Sequence, residues 1–356
     1  MYRITFETTN KCNMRCKYCY LEHEKEPLSI EVAMKAVDTF LQSDVDHSSL
    51  KVSYIGGEPL LYKKNVIRIT EKIKEKMSSM NIPVSFVITT NATLLDDEIV
   101  EFFIKENFSV KISLDGEKED HDINRVMLNG ISSYDTIINN LPLLRYYEEK
   151  AKKMVQISMV INKATYKNVY KNILNAIELG FRFICPCLET YADWNSEELR
   201  IIEEQLIKVI DWTIDAAKNG TYIYLKPLLV EHDKRQLQYD CLYCFPGRNN
   251  MHIKTNGDIY ACYACQKEEF KLGNVNIGFE QKQYSRFKVH NPEYSTKCLK
   301  CSLFSSCCAK ECVAVNFERN GNLWKVPDCF CEQAKMYEHL YKYFIEQKKR
   351  LSRGTK

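Results

Sequence analysis

The chain has 356 residues, 45% of them apolar, and a formal net charge of +3. A charge so near balance argues against a nucleic-acid or membrane-surface binder, and no apolar run approaches the ~20 residues of a bilayer span. The opening MYRITFETTN reads as a strand and lacks the apolar core of a signal peptide, so a cytoplasmic protein is expected. Sixteen cysteines in such a chain suit metal or cluster ligands better than a disulfide framework.

Residues 2–8 form a β-rich run, and a polar loop with three cysteines follows. Strand and helix patterns then alternate. Residues 29–42 read as a helix capped by Ser29, 51–55 as a short strand, 63–79 as a helix and 84–89 as a strand. The series continues with a helix at 96–105, a strand at 110–114, one long helix at 133–150 and a strand at 154–161. A helix at 165–179, a strand at 181–186 and a helix at 196–219 before Gly220 close it. Six strand–helix units predict an α/β fold, a partial (β/α)6 TIM-like barrel over residues 1–220, with its chemistry at the C-terminal ends of the strands.

Beyond a connecting segment at 221–240 the texture changes. Eleven of the sixteen cysteines lie there, periodicity fades, and the longest helical pattern is 332–347. Residues 241–347 are expected to form a small, irregular, cysteine-rich α+β domain that relies on metal centres for stability. The basic run 348–356 is expected to be a frayed terminus.

Cys12, Cys16 and Cys19 form a CxxxCxxC run directly after the first strand. Three thiolates from one short loop can hold three irons of a [4Fe–4S] cube and leave the fourth open to a small molecule. A zinc site with a distant fourth ligand is the alternative. This run, with Tyr18 before its last cysteine, resembles the radical SAM superfamily. The resemblance implies that the open iron binds S-adenosylmethionine (SAM), whose reductive cleavage yields a 5′-deoxyadenosyl radical. It also implies that Gly56, Gly57 and Glu58, after the second strand, bind the SAM amino group. Asn91, Ser113 and Arg125, at or after later strand ends, would meet its ribose or carboxylate, and Tyr18 would lie against it.

The later cysteines resemble the SPASM extension of that superfamily, which carries two auxiliary [4Fe–4S] clusters, three in all. The resemblance implies Cys241, Cys244, Cys262 and Cys312 as ligands of the first, and Cys298, Cys301, Cys307 and Cys331 of the second. Cys308 competes with Cys307, and Cys329 with Cys331. Cys265 is unassigned, Cys185 and Cys187 close the sixth strand, and a zinc-ribbon module is the alternative for the whole field.

Enzymes with two such clusters mostly modify peptides or proteins. One expectation is a maturase that forms a thioether, carbon–carbon or similar crosslink in a ribosomal peptide. The other is an anaerobic sulfatase maturase that makes formylglycine; a non-enzymatic cluster scaffold or regulator is a third class. Sulfatase maturases carry an Asp base immediately after the cysteine that matches Cys262, whereas this chain has Tyr263. A phenol of pKa near ~10 is a poor base, which favours the peptide maturase. The partners implied are a peptide or protein substrate, a low-potential electron donor such as a flavodoxin or ferredoxin, and leader recognition by the core, the second domain or a separate leader-binding protein. Nucleic acid and membrane are not expected.

Overall fold

The computed structural model describes residues 1–21, 26–226, 247, 249–287, 294–305, 307 and 309–354. In chain order its main elements are β1 (Tyr2–Glu7), β2 (Met14–Cys16), α1 (Ile30–Gln42), β3 (Leu50–Ile55), α2 (Lys63–Ser79), β4 (Val84–Thr90), α3 (Asp97–Lys105) and β5 (Ser109–Ser113). There follow α4 (Lys118–Asn124), β6 (Arg125–Met127), α5 (Ser133–Asn139), α6 (Leu141–Ala151), β7 (Gln156–Ile161), α7 (Val169–Glu178), β8 (Phe183–Leu188) and α8 (Ser196–Lys218). The remainder comprises β9 (Tyr224–Leu225), β10 (Asn250–Ile253), β11 (Asp258–Tyr260), β12 (Lys271–Asn274), β13 (Gly278–Phe279), α9 (Gln281–Ser285), α10 (Thr296–Leu299), α11 (Val313–Asn320) and α12 (Asp328–Gly354).

These elements fall into two compact units, one from residues 1–113, 125–153 and 247–287, the other from 114–124, 154–226 and 294–354. In the first, β10, β1, β3, β4 and β5 lie side by side as parallel strands, and β11, β12 and β13 extend the β10 edge antiparallel. Alternation explains β3, whose Leu50, Val52 and Tyr54 are buried while Lys51, Ser53 and Ile55 are half-buried. Phe108 is fully buried, with the rings of Tyr54, Phe86, Phe102 and Phe103 centred 5.0–6.0 Å from its own. In the second unit β7, β8 and β9 are parallel, and α12 packs on α8.

The six expected strand–helix units are all present, and the fold is the expected α/β class. Helix starts follow their caps: Ser29 accepts from the Val32 N–H, Asp96 from that of Ile99, and Asn195 forms a reciprocal capping box with Glu198. Four expectations need correction. The helix expected at 133–150 is two, because Pro142 has no N–H for the Ile138 carbonyl and the chain breaks at Asn140. The helix expected from 165 opens with a 3-10 turn at Tyr166–Asn168. The three-cysteine loop contains β2, which pairs antiparallel with β6. The expected frayed tail is helical to Gly354, since nothing before that glycine stops α12. On α12, His339 and Tyr343 bond Glu203 and Asp211 of α8 at 2.6 and 2.7 Å.

Among the described residues no helix is long and apolar enough to cross a membrane. Replacing Phe108 by Ala should empty the centre of the aromatic cluster and cost about 3–5 kcal/mol, read as a lower urea midpoint.

Candidate functional site

The turn after β3 is shaped by two close approaches. Gly56 has φ +136°, and a Cβ on it would sit 2.4 Å from the Thr9 carbonyl oxygen. A Cβ on Gly57 would sit 2.1 Å from the Lys11 carbonyl oxygen. Only glycine lets the backbones come so near. Across this contact the Gly57 N–H donates to the Thr9 carbonyl at 2.7 Å and the Glu58 N–H to that of Lys11 at 2.9 Å. The end of β3 thereby grips residues 9–11, the entry to the cysteine loop.

Glu58 is fully buried. Its Oε1 accepts from the Leu60 N–H at 3.0 Å and the Thr90 hydroxyl at 2.7 Å, and its Oε2 from the Asn91 N–H at 2.7 Å. Burial pushes its carboxyl up to about 7 against the pull of those three hydrogen bonds. The side chain expected on a ligand is therefore engaged on both oxygens as a tie between the turn after β3 and the end of β4.

Asn91 continues the chain of contacts. Its Nδ2 donates to Asn13 Oδ1 at 2.8 Å and lies 3.9 Å from the Cys12 sulfur. Its Oδ1 accepts from the Thr93 N–H and hydroxyl at 3.0 and 2.7 Å, and Asn13 Nδ2 donates back to the Thr93 hydroxyl at 2.8 Å. Asn13 and Thr93 were not singled out in the sequence; their signal is weak, because short polar residues at strand ends are usually turn formers.

The cysteine loop is also held from the far side. Cys16 stands opposite Arg125 in the β2–β6 ladder, and the Arg125 guanidinium lies 5.4 Å from the Tyr18 ring centre. Arg125 is buried, and its carbonyl accepts from Ser133 at 2.6 Å. The Met14 N–H points at the Cys12 sulfur at 3.4 Å, and the Cys19 N–H bonds the Cys16 carbonyl at 3.0 Å. Burial, together with the charges of Glu58, Cys16 and Cys19, pushes the Cys12 thiol up to about 12. A metal must displace that proton, as thiolate ligation requires. Ser113 ends β5 half-buried. The first unit thus contains every residue expected on the radical cluster and SAM, and its three-sulfur donor set on a fixed loop fits an iron–sulfur cluster.

The same unit contains a buried cluster that the sequence did not announce. Glu7 and His252, 1% and 2% exposed, face each other at 3.5 Å. Gln266 Nε2 donates to Glu7 Oε2 at 3.0 Å and to the Tyr263 carbonyl at 3.3 Å. Burial works to raise Glu7, but the hydrogen bond and charge of His252, with Gln266 and Lys254, hold its carboxyl below the usual range. The only trace in sequence is an acid closing the apolar run of β1. Tyr263 and Tyr20, both half-exposed, have ring centres 6.4 Å apart. Cys262 is half-buried and Cys265 buried.

In the second unit, Cys298, Cys301, Cys307 and Cys331 line a cavity of about 200 Å³ together with Lys297, Lys310 and Lys335. Ser295 caps α10 by accepting from the Cys298 N–H, and the Cys301 N–H bonds the Cys298 carbonyl at 3.0 Å. Cys331 lies in the first turns of α12; Cys329, on the same helix, does not line the cavity. No three His, Cys, Asp or Glu side chains among the described residues could hold a single metal ion. The four sulfurs surround a larger space, which fits a cluster. Cys312 belongs to this unit, and burial raises its thiol. Cys185 on β8 is buried and Cys187 exposed. Cys241, Cys244, Cys308 and most of the connecting segment 221–240 lie outside the described residues.

Glu58→Gln should leave an amide NH₂ against the Asn91 N–H or the Leu60 N–H. The expected cost is about 1–3 kcal/mol in urea unfolding, with less iron retained per chain after reconstitution.

Residues 6–148 match the model of the radical SAM superfamily, and residues 244–302 that of the SPASM iron–sulfur cluster-binding domain. A cysteine-type anaerobic sulfatase-maturating enzyme of Clostridium novyi (strain NT) is 26% identical over 92% of each chain. The radical SAM cyclopropyl synthase TigE of Paramaledivibacter caminithermalis is 20% identical over 98% of this chain and 75% of its own. The solved structure of native anSMEcpe with bound AdoMet and Cp18Cys peptide shares the fold, with a TM-score of 0.77 at 18% identity over 99% of both chains. The cysteine loop fixed between strand ends and the two matched domains agree: the chain carries a radical SAM domain followed by a SPASM domain, and is a radical SAM enzyme.

Proposed function

We propose that this enzyme oxidises a side chain of a ribosomal peptide and joins it to a second position through a thioether, carbon–carbon or similar crosslink. The observation that carries the reading is Tyr263, half-exposed beside Cys262 where the resembling sulfatase maturases have an acid. A phenol suits contact with a peptide better than proton removal at neutral pH. In this reading Cys12, Cys16 and Cys19 hold the radical cluster, and Tyr18, Gly56, Gly57, Asn91, Ser113 and Arg125 line the SAM site that Glu58 positions. Cys241, Cys244, Cys262 and Cys312 hold one auxiliary cluster; Cys298, Cys301, Cys307 and Cys331 hold the other. When bound and reduced, SAM supplies the hydrogen-abstracting radical. The electron comes from a flavodoxin or ferredoxin, and a separate protein is one candidate for leader recognition.

A second reading, formylglycine formation on a protein Cys or Ser, is favoured by two observations. The likeness to the Clostridium novyi enzyme runs the length of both chains, and Glu7 supplies a carboxylate hydrogen-bonded to the residue that holds the Tyr263 carbonyl. Mass spectrometry after anaerobic turnover separates the two. The crosslink gives a peptide that has lost two hydrogens and resists a hydrazide reagent; formylglycine gives an aldehyde that the reagent captures. Under the second reading Glu7→Gln should lower aldehyde yield by about 100-fold, the scale of a lost general base, and an unchanged yield counts against Glu7.

A further inference from the structure

The cavity of four cysteines in the second unit is also lined by three cations, and they differ. Lys297 is paired with Asp328, and Lys335 with Glu332 at 2.7 Å. Lys310 has no carboxylate within ion-pair distance among the described residues. Its ammonium donates to the Phe304 carbonyl at 2.5 Å and lies 4.1 Å from the Phe304 ring centre and 5.9 Å from that of Tyr294. A lysine stem is ordinarily free to swing its charge into water; here a carbonyl and two aromatic faces keep it in the cavity wall.

We infer that Lys310 is a positioning residue for the cavity's cluster: a fixed positive charge that raises its reduction potential. The inference rests on the reading that Cys298, Cys301, Cys307 and Cys331 hold a [4Fe–4S] cluster. Such a cluster with four thiolates is a net anion, and reduction adds one further negative charge. An uncompensated cation at a half-buried site stabilises the reduced form more than the oxidised one, because water screens it less there than at the surface. Lys297 and Lys335 also act on the Cys331 sulfur, each offset in part by its own counter-charge. A purely structural role, in which the stem covers the Phe304 ring, would survive loss of the charge.

Lys310→Met keeps the stem and removes the charge, so it separates the two roles. The full chain is reconstituted anaerobically and titrated with a reductant under electron paramagnetic resonance. The signal lost in a Cys298→Ala/Cys301→Ala double variant identifies the cavity's cluster. Lys310→Met is expected to keep native iron and sulfide yet make reduction of that cluster roughly tenfold less favourable, a shift of about 59 mV to lower potential for one electron. Lys310→Arg should restore the native value, and the other signals should not move. If the Met variant loses iron, Lys310→Gln is read in the same way. A native midpoint in a variant with full iron content overturns the role of Lys310. Undiminished iron and signals in the double cysteine variant overturn the ligand assignment beneath it.

Discussion

Glu58 is buried with both carboxylate oxygens bonded, and the place of the cysteine loop follows from that. A carboxylate removed from water is costly unless its lone pairs are filled, and three donors from the turn after β3 and the end of β4 fill them. The turn so fixed presses Gly56 and Gly57 onto residues 9–11 at distances no side chain would allow. Asn91, whose N–H is one of the three donors, turns its side chain to Asn13 and toward Cys12. The loop that carries the sulfurs is therefore positioned by strand ends, and strand ends are rigid in a way that loops are not.

The second unit solves a different problem. Its cavity cysteines lie on a four-residue helix, on irregular chain and in the first turns of α12, and of these only α12 is long enough to bury much apolar surface. In the proposed reading, a cluster on the four sulfurs around one cavity would supply by coordination the cross-links that packing does not. The lysines in the same wall meet the charge that such coordination creates. Two share theirs with carboxylates, and Lys310 keeps its own.

Much of this was legible in the sequence. The six strands and their helices show as apolar periodicity broken by caps, and Ser29 and Asp96 start helices where their side chains predict. The cysteine spacing and the Gly-Gly-Glu turn stand at strand ends because that is where a parallel fold exposes its backbone. What stayed hidden depends on contacts distant in sequence. Strands β10 to β13 have two to four residues each, too few for any period, so their addition to the β1 edge cannot be read from pattern. Glu7 and His252 are ordinary residues until the parallel pairing of β1 with β10 brings them together. Glu58 looked like a ligand contact; only the fold shows how thoroughly its oxygens are used. Pro142 did mark the break in the 133–150 helix, but a proline in a first helical turn looks much like one that starts a helix.

The proposed radical chemistry has one centre, the sulfurs of Cys12, Cys16 and Cys19 on their fixed loop. The most direct measurement is release of 5′-deoxyadenosine from SAM by the anaerobically reconstituted, reduced protein. The native chain should release it, and a Cys12→Ala/Cys16→Ala/Cys19→Ala variant that still folds should not. Release that persists in the variant, or none from a native chain with its full iron content, would contradict a radical centre on these three sulfurs.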